Sequence, residues 1–204
     1  MKLLHIDSSI LGEVSVSRRL SASIVERQRA LHDGLDVTYR DLAAAPLLSL
    51  SSAHLAAWQG AATDDAALLA DLAAGATIVD ELFAADIIVI GAPMYNFTLP
   101  TQLKAWVDRV LVAGRTFRYG ADGKPEGLLP AGKRVIIASA RGGFYAGGAP
   151  AAPLDHQESL LITALGFIGL TDITVIRAEG IATGPEGRAA GLALADIAIE
   201  ALAA

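Results

Sequence analysis

The chain has 204 residues, enough for one compact domain with a sizeable core and too few for two of typical size. With 53% hydrophobic and 19% charged residues it reads as a core-rich globular protein, not a disordered or fibrous one. A net charge of −6, with 16 basic residues scattered without a run, argues against nucleic acid or an anionic membrane as partner, and the absence of cysteine removes disulfides, thiolate metal sites and a cysteine nucleophile.

Residues 3–7 are a short apolar run leading into Ser8 and Ser9, which predicts a first strand and its exit loop. Leu20, Ile24 and Val25 follow at helical spacing, and Ser15 or Ser17 is positioned to cap that helix. Residues 35–39 alternate between Gly34 and Asp41, as a second strand does. Residues 43–60 are irregular, a loop with room for one short helix, and the Ala/Leu segment from the Thr63-Asp64-Asp65 cap to Phe83 is helical despite Gly75. Residues 86–91 form the third strand.

After Pro100, Leu103, Trp106, Val107, Val110 and Leu111 recur at helical spacing up to Gly114. Residues 116–127 read as an excursion with a small hairpin turning at Gly120 to Gly123, and residues 134–139 as the fourth strand. A long Gly/Ala/Pro loop then runs to Pro153. Residues 154–167 are helical, 173–176 form the fifth strand, and a last helix starts at Gly184-Pro185. Strands alternating with helices predict a parallel α/β sheet covered on both faces. The opening residues are too soon polar for a signal peptide and no apolar stretch reaches membrane-span length, so a cytoplasmic protein is expected. The four histidines lack a metal-ligand spacing, and no metal is expected.

In a parallel sheet the loops after strands one, three and four share one edge. The first carries Ser9, Ser15, Val16 and Ser17 before a helix, which suits either a phosphate cradle or plain helix capping. No P-loop or dinucleotide glycine pattern opens that helix, so a mononucleotide fits better than a triphosphate or a Rossmann-bound dinucleotide. The third loop offers Met94, Tyr95, Asn96 and Phe97, a flat wall with an amide at its rim or aromatics plugging the sheet edge. The fourth offers Ser139, Arg141, Gly142 and Gly143. Its glycines allow close backbone approach, and Arg141 is either a ligand contact or a solvated loop residue.

At these residues the sequence resembles the FMN-dependent NADH-azoreductase family of flavodoxin-like NAD(P)H:quinone oxidoreductases. The resemblance spans nearly the whole chain: Ser8-Ser9, Ser15-x-Ser17, Arg40 to Ala43, Ala92 to Phe97, Gln102 to Lys104, Thr116 to Tyr119, Arg141 to Gly143 and Leu165 to Gly169. It implies a flavodoxin-like three-layer sandwich with a five-stranded parallel sheet in the order 2-1-3-4-5. It also implies bound FMN, NADH as donor, ping-pong transfer to quinones and azo compounds, and a homodimer. By position, Ser9 and Ser15 to Ser17 hold the phosphate, Met94 to Phe97 flank the flavin ring with Asn96 orienting, and Arg141 to Gly143 reach its polar edge. Ala140 stands where the family often has Ser, which leaves Ser139 as the nearest hydroxyl. Phe117, Tyr119, Phe144, Tyr145 and Phe167 are candidates for a lid reaching the partner's flavin, although from the sequence alone Phe167 reads as a core residue. A flavodoxin-type electron carrier is the alternative; a phosphatase of similar architecture lacks its cysteine here.

Overall fold

The structure, a computed structural model, describes residues 1–203. In chain order its elements are β1 (Lys2–Asp7), α1 (Val16–Leu31), β2 (Asp36–Asp41), α2 (Ser52–Trp58), α3 (Ala66–Ala84), β3 (Ile87–Pro93), α4 (Thr101–Val110), β4 (Phe117–Tyr119), β5 (Pro125–Gly127), β6 (Arg134–Ala140), α5 (Glu158–Phe167), β7 (Asp172–Ala178) and α6 (Pro185–Glu200). Five strands form one parallel sheet in the order β2-β1-β3-β6-β7, which is 2-1-3-4-5 when only its own strands are counted. The remaining two, β4 and β5, pair as the antiparallel hairpin expected.

The unbroken apolar run of β3 is explained by its place at the centre, buried along its whole length. Alternate side chains enter opposite cores. Ile88 and Ile90 join Ile78 and Leu82 of α3, Leu103 and Trp106 of α4 and Leu165 of α5, whereas Ile87 and Val89 join Leu20 and Ile24 of α1 and Ile199 of α6.

Several boundaries move for physical reasons. Helix α5 begins at Glu158 and not at 154, because residues 152–154 form a 3₁₀ turn and the Asp155 carboxylate accepts from the N–H groups of Gln157 and Glu158. Helix α4 stops at Val110, short of Gly114, where the Thr116 hydroxyl donates to the Val110 carbonyl and accepts from Val112 N–H. The loop after β2 contains the one short helix, α2. Strand β3 runs on through Ala92 and Pro93, which pair with Ser139 and Ala140. Among the described residues no helix is long and apolar enough to cross a membrane.

Gly75 survives inside α3 because α4 crosses there: a Cβ would lie 3.2 Å from Arg109 Cδ. The same approach delivers the buried Arg109 guanidinium to Asp71, at 2.7 Å, and to the Leu48 carbonyl, at 2.9 Å. His54 of α2 joins through Nε2, 3.1 Å from Asp71, and its Nδ1 accepts from Ser51. The otherwise irregular segment after β2 is thereby strapped to α3 and α4. Burial by itself pushes the Asp71 carboxyl up, but the Leu48 N–H and Arg109 outweigh it and hold the group below its ordinary value.

Replacing Asp71 by Asn leaves Arg109 buried without its counter-charge, and urea unfolding should show a loss of about 3 kcal/mol at neutral pH. Because the folded value is depressed, this contribution is complete above the ordinary carboxylate value of about 3.9 and is lost as pH falls through the lower folded value. Wild type and Asp71→Asn should therefore converge in stability in acid.

Candidate active site

The carboxyl ends of β1, β3 and β6 converge as their parallel pairing requires, and side chains tie the three loops together. Ser8 Oγ donates to the Gly91 carbonyl at 2.7 Å, and Ser9 Oγ lies 3.0 Å from the Tyr95 hydroxyl, which also accepts from Ile10 N–H. Met94 N–H donates to the Ala140 carbonyl at 2.8 Å, joining the third loop to the fourth.

Ser15 is the N-cap of α1, accepting from Arg18 N–H, and its hydroxyl lies 3.2 Å from that of Ser17. Both serines are buried, at 3% and 1% exposure. The first two N–H groups of the helix, on Val16 and Ser17, find no acceptor among the described residues. Capping and ligand binding are thus compatible here: Ser15 caps the helix through Arg18 N–H, and the leading amides remain unengaged at the positive end of the helix dipole.

Beneath this loop the Asp7 carboxylate accepts from Ser21 and Tyr39. Gly91 faces it so closely that a Cβ there would collide with the carboxylate. Burial first, and then the charge of Asp7, push the Tyr39 hydroxyl up to about 12, so it remains a neutral donor. Arg18 makes a bidentate pair with Asp41 and donates two hydrogen bonds to the Ser9 carbonyl. Its hydrogen bond to Asp41 raises the guanidinium and lowers the carboxyl, whose contacts with Ala43 and Ala44 N–H add to the effect. The resulting ion pair holds the backbone of the first loop.

The third loop is a two-residue turn closed by reciprocal hydrogen bonds between Tyr95 and Thr98, of 3.0 and 3.1 Å. Its central residues, Asn96 and Phe97, both take positive φ, 48° and 70°, as a primed hairpin turn requires. Asn tolerates that region and Phe does not, so Phe97 stores backbone strain at the mouth of the site. Asn96 therefore has a backbone reason for its position that the sequence argument, built on its amide alone, did not contain. Asn96 and Phe97 are exposed and follow directly on Met94 and Tyr95, which line the cleft, without lining it themselves.

The fourth loop corrects the sequence reading most. Arg141 is neither solvated nor free to reach a ligand: its guanidinium is fully buried and bound to Asp155 at 2.8 Å, to Glu158 and to Glu179. Its Nε donates to Gln157, which in turn donates to the Ala92 carbonyl at 2.5 Å. Ser139 is equally sequestered, with 0% exposure and its hydroxyl between Arg141 and Gln157, so it offers no hydroxyl to the cleft. Glu179 completes the clamp by accepting from Tyr145 and Ala146 N–H. Asp155, Gln157, Glu158 and Glu179 were invisible to sequence reasoning because they lie in a loop, a helix start and a strand exit with no shared motif. By contrast, the carbonyls of Gly142 and Gly143 bond to Ala182 and Gly180, and their own N–H groups have no acceptor among the described residues.

These loops enclose a cleft of about 150 Å³. Ser9, Ser15, Val16 and Ser17 line one side, Met94 and Tyr95 another, and Arg141 and Gly142 the third. Ile181 and Arg188, from beyond β7, complete the wall and were not anticipated. Tyr145 packs edge-on to Phe97, with centroids 6.4 Å apart, beside the mouth. Phe144 instead packs over Gly180, on the side of Leu194. Phe117, Tyr119 and Phe167 form a separate cluster, with Phe117 4.7 Å from Phe167, and do not line this cleft. Phe167 is half-buried against the core, between the two roles foreseen for it.

A cleft at the carboxyl edge of a 2-1-3-4-5 sheet, with a serine-lined helix start and no P-loop, defines a flavodoxin-like protein. Residues 1–202 match the family described by its flavodoxin-like fold. Over 203 residues the chain is 57% identical to the FMN-dependent NADH:quinone oxidoreductase of Xanthomonas campestris pv. campestris, covering 99% of each. It is 57% identical over 204 residues to the protein of the same name from Methylorubrum extorquens, covering all of both. Among solved structures, an azoreductase from Bacillus anthracis superposes with a TM-score of 0.81 at 26% identity, over 99% of this chain and 100% of that one. The chain belongs to the FMN-dependent NADH:quinone oxidoreductase family of the flavodoxin-like fold.

Two variants separate roles at the cleft. Asn96→Gly keeps the positive φ and removes the amide, and should leave the unfolding free energy within about 0.5 kcal/mol of wild type while lowering turnover, measured by thermal melting and steady-state kinetics. Arg141→Leu strands three carboxylates and should cost about 3 kcal/mol in urea unfolding, whereas a side chain serving only a ligand leaves unliganded stability unchanged.

Proposed function

We propose that the chain is an FMN-dependent NADH:quinone oxidoreductase that also reductively cleaves aromatic azo compounds. The observation that carries this reading is the meeting, in one cleft, of unengaged amides and buried hydroxyls at the start of α1 with an apolar wall and Gly142, whose N–H, like that of Gly143 next along the loop, has no acceptor among the described residues. That donor set fits FMN. The amides of Val16 and Ser17 and the hydroxyls of Ser15 and Ser17 suit its phosphate, Met94 to Phe97 its ring face, and Gly142 and Gly143 its polar edge.

When bound, FMN would supply two-electron ping-pong chemistry between NADH and a quinone, and cleavage of an azo compound to two amines would consume two such cycles, hence two NADH. The chain's own residues place and polarise. The fixed amides of the fourth loop present donors where negative charge develops and need no reorganisation, because the Arg141 clamp already holds the backbone behind them. Asn96 and Phe97, at the strained turn, orient whatever enters the mouth. No acid-base dyad or metal ligand set is required of the protein.

We also infer a homodimer. A cleft of about 150 Å³ is below the roughly 300–1,000 Å³ of pockets that enclose a ligand of this size. Ile10, Leu11, Val14 and Phe97 leave an exposed apolar surface at and beside its mouth, and the cluster containing Tyr119, 65% exposed, lies outside its own cleft. Aromatics of a second copy would close the site.

Titration of the flavin-free protein with FMN should quench flavin fluorescence at one equivalent per chain. Anaerobic NADH should then bleach the flavin, and a quinone or an azo dye should restore its colour. Unchanged FMN fluorescence would falsify the reading, and binding without bleaching by NADH would point to an electron carrier instead.

A further inference from the structure

Arg188 lies in the first turn of α6, where its backbone N–H meets the Gly184 carbonyl at 3.0 Å, and it lines the same cleft as Ser15 and Ser17. Every other arginine of the chain has a side-chain partner, either a carboxylate or a backbone carbonyl. Among the described residues the Arg188 guanidinium alone has none.

The other two guanidiniums near the cleft are already committed. Arg18 faces Asp41 and Asp7, and Arg141 faces Asp155, Glu158 and Glu179, with Arg177 on the far side of Glu158. Each cluster retains one negative charge in excess. The cradle at α1 consists of neutral hydroxyls and amides, so the helix start contributes only about half a positive charge there. A phosphate monoester brings about −1.5 to −2 at neutral pH. The clusters under the cleft thus disfavour such an anion, and the unpaired cation at its wall is the group able to offset them.

We propose that Arg188 pairs with the phosphate of the bound mononucleotide, which makes it a determinant of selectivity for FMN over its unphosphorylated analogue. This rests on the reading of the cleft as an FMN site. Arg188 is exposed, and its replacement should leave folding intact.

The test is the affinity of flavin-free protein for FMN and for riboflavin, measured by fluorescence quenching for wild type, Arg188→Gln and Arg188→Lys, with thermal melting as the check on folding. Arg188→Gln should raise the FMN dissociation constant about fivefold, leave that for riboflavin unchanged, and flatten the salt dependence of FMN binding, while Arg188→Lys recovers part of the loss. Equal shifts for both flavins, or no shift for either, would overturn the proposal. So would unchanged FMN affinity with a raised KM for NADH or NADPH, since the cation would then serve the donor's phosphates. Wild type that binds neither flavin would instead sink the FMN reading itself, a result distinct from any of these.

Discussion

Between β1 and β6, β3 is paired in parallel on both sides, with Ile87 opposite Leu3 and opposite Arg134, and the register continues to Pro93 opposite Ala140. Parallel pairing obliges all three strands to deliver their following loops to one edge, and full burial leaves the register no freedom to slip. The site depends on this constraint. Where β1 ends at Asp7 the neighbouring residue of β3 is Gly91, and the absence of a side chain there is what allows the Asp7 carboxylate to sit under the first loop and receive Ser21 and Tyr39.

Upon that frame the loops are held by polar side chains whose hydrogen-bonding groups are taken up by protein partners. Arg18 grips the Ser9 carbonyl from the α1 side, and Gln157 links the Ala92 carbonyl to Arg141 from the α5 side. Arg141 gathers both ends of the fourth loop, Asp155 at one and Glu179 beside Tyr145 at the other. Buried ion pairs contribute little net stability over an apolar alternative, but they impose one arrangement, because any other leaves a charge without a partner. The amides of Gly142 and Gly143 are rigidly presented for that reason, and rigid donors are what electrostatic stabilisation of a developing charge requires.

The order and identity of the strands were legible because burial on both faces demands continuous apolar runs, and residues 87–90 supply one. The first helix was legible through Ser15, and the convergence of three loops followed from topology alone. The fourth loop was not. From the chain, Arg141 beside two glycines invites a ligand, and nothing local indicates that Asp155, Glu158 and Glu179 surround it, because those residues come from segments with no common period. The start of α5 differs from the sequence expectation for a related reason: Leu154 fits a helical pattern, yet the Asp155 carboxylate accepts from Gln157 and Glu158 N–H while its other oxygen binds Arg141.

By itself the sequence determined the α/β class, the strand from which the third loop emerges, the helix that Ser15 caps and the family to which the chain belongs, since these follow from local periodicity, capping chemistry and contiguous motifs. Tertiary structure alone decided which polar groups are spoken for. A hydroxyl or guanidinium is available to a ligand only if no nearer partner claims it, and that is settled by distant segments. It withdrew Ser139 and Arg141, gave Asn96 a backbone role, and left Arg188 as the one arginine of the described chain without a partner.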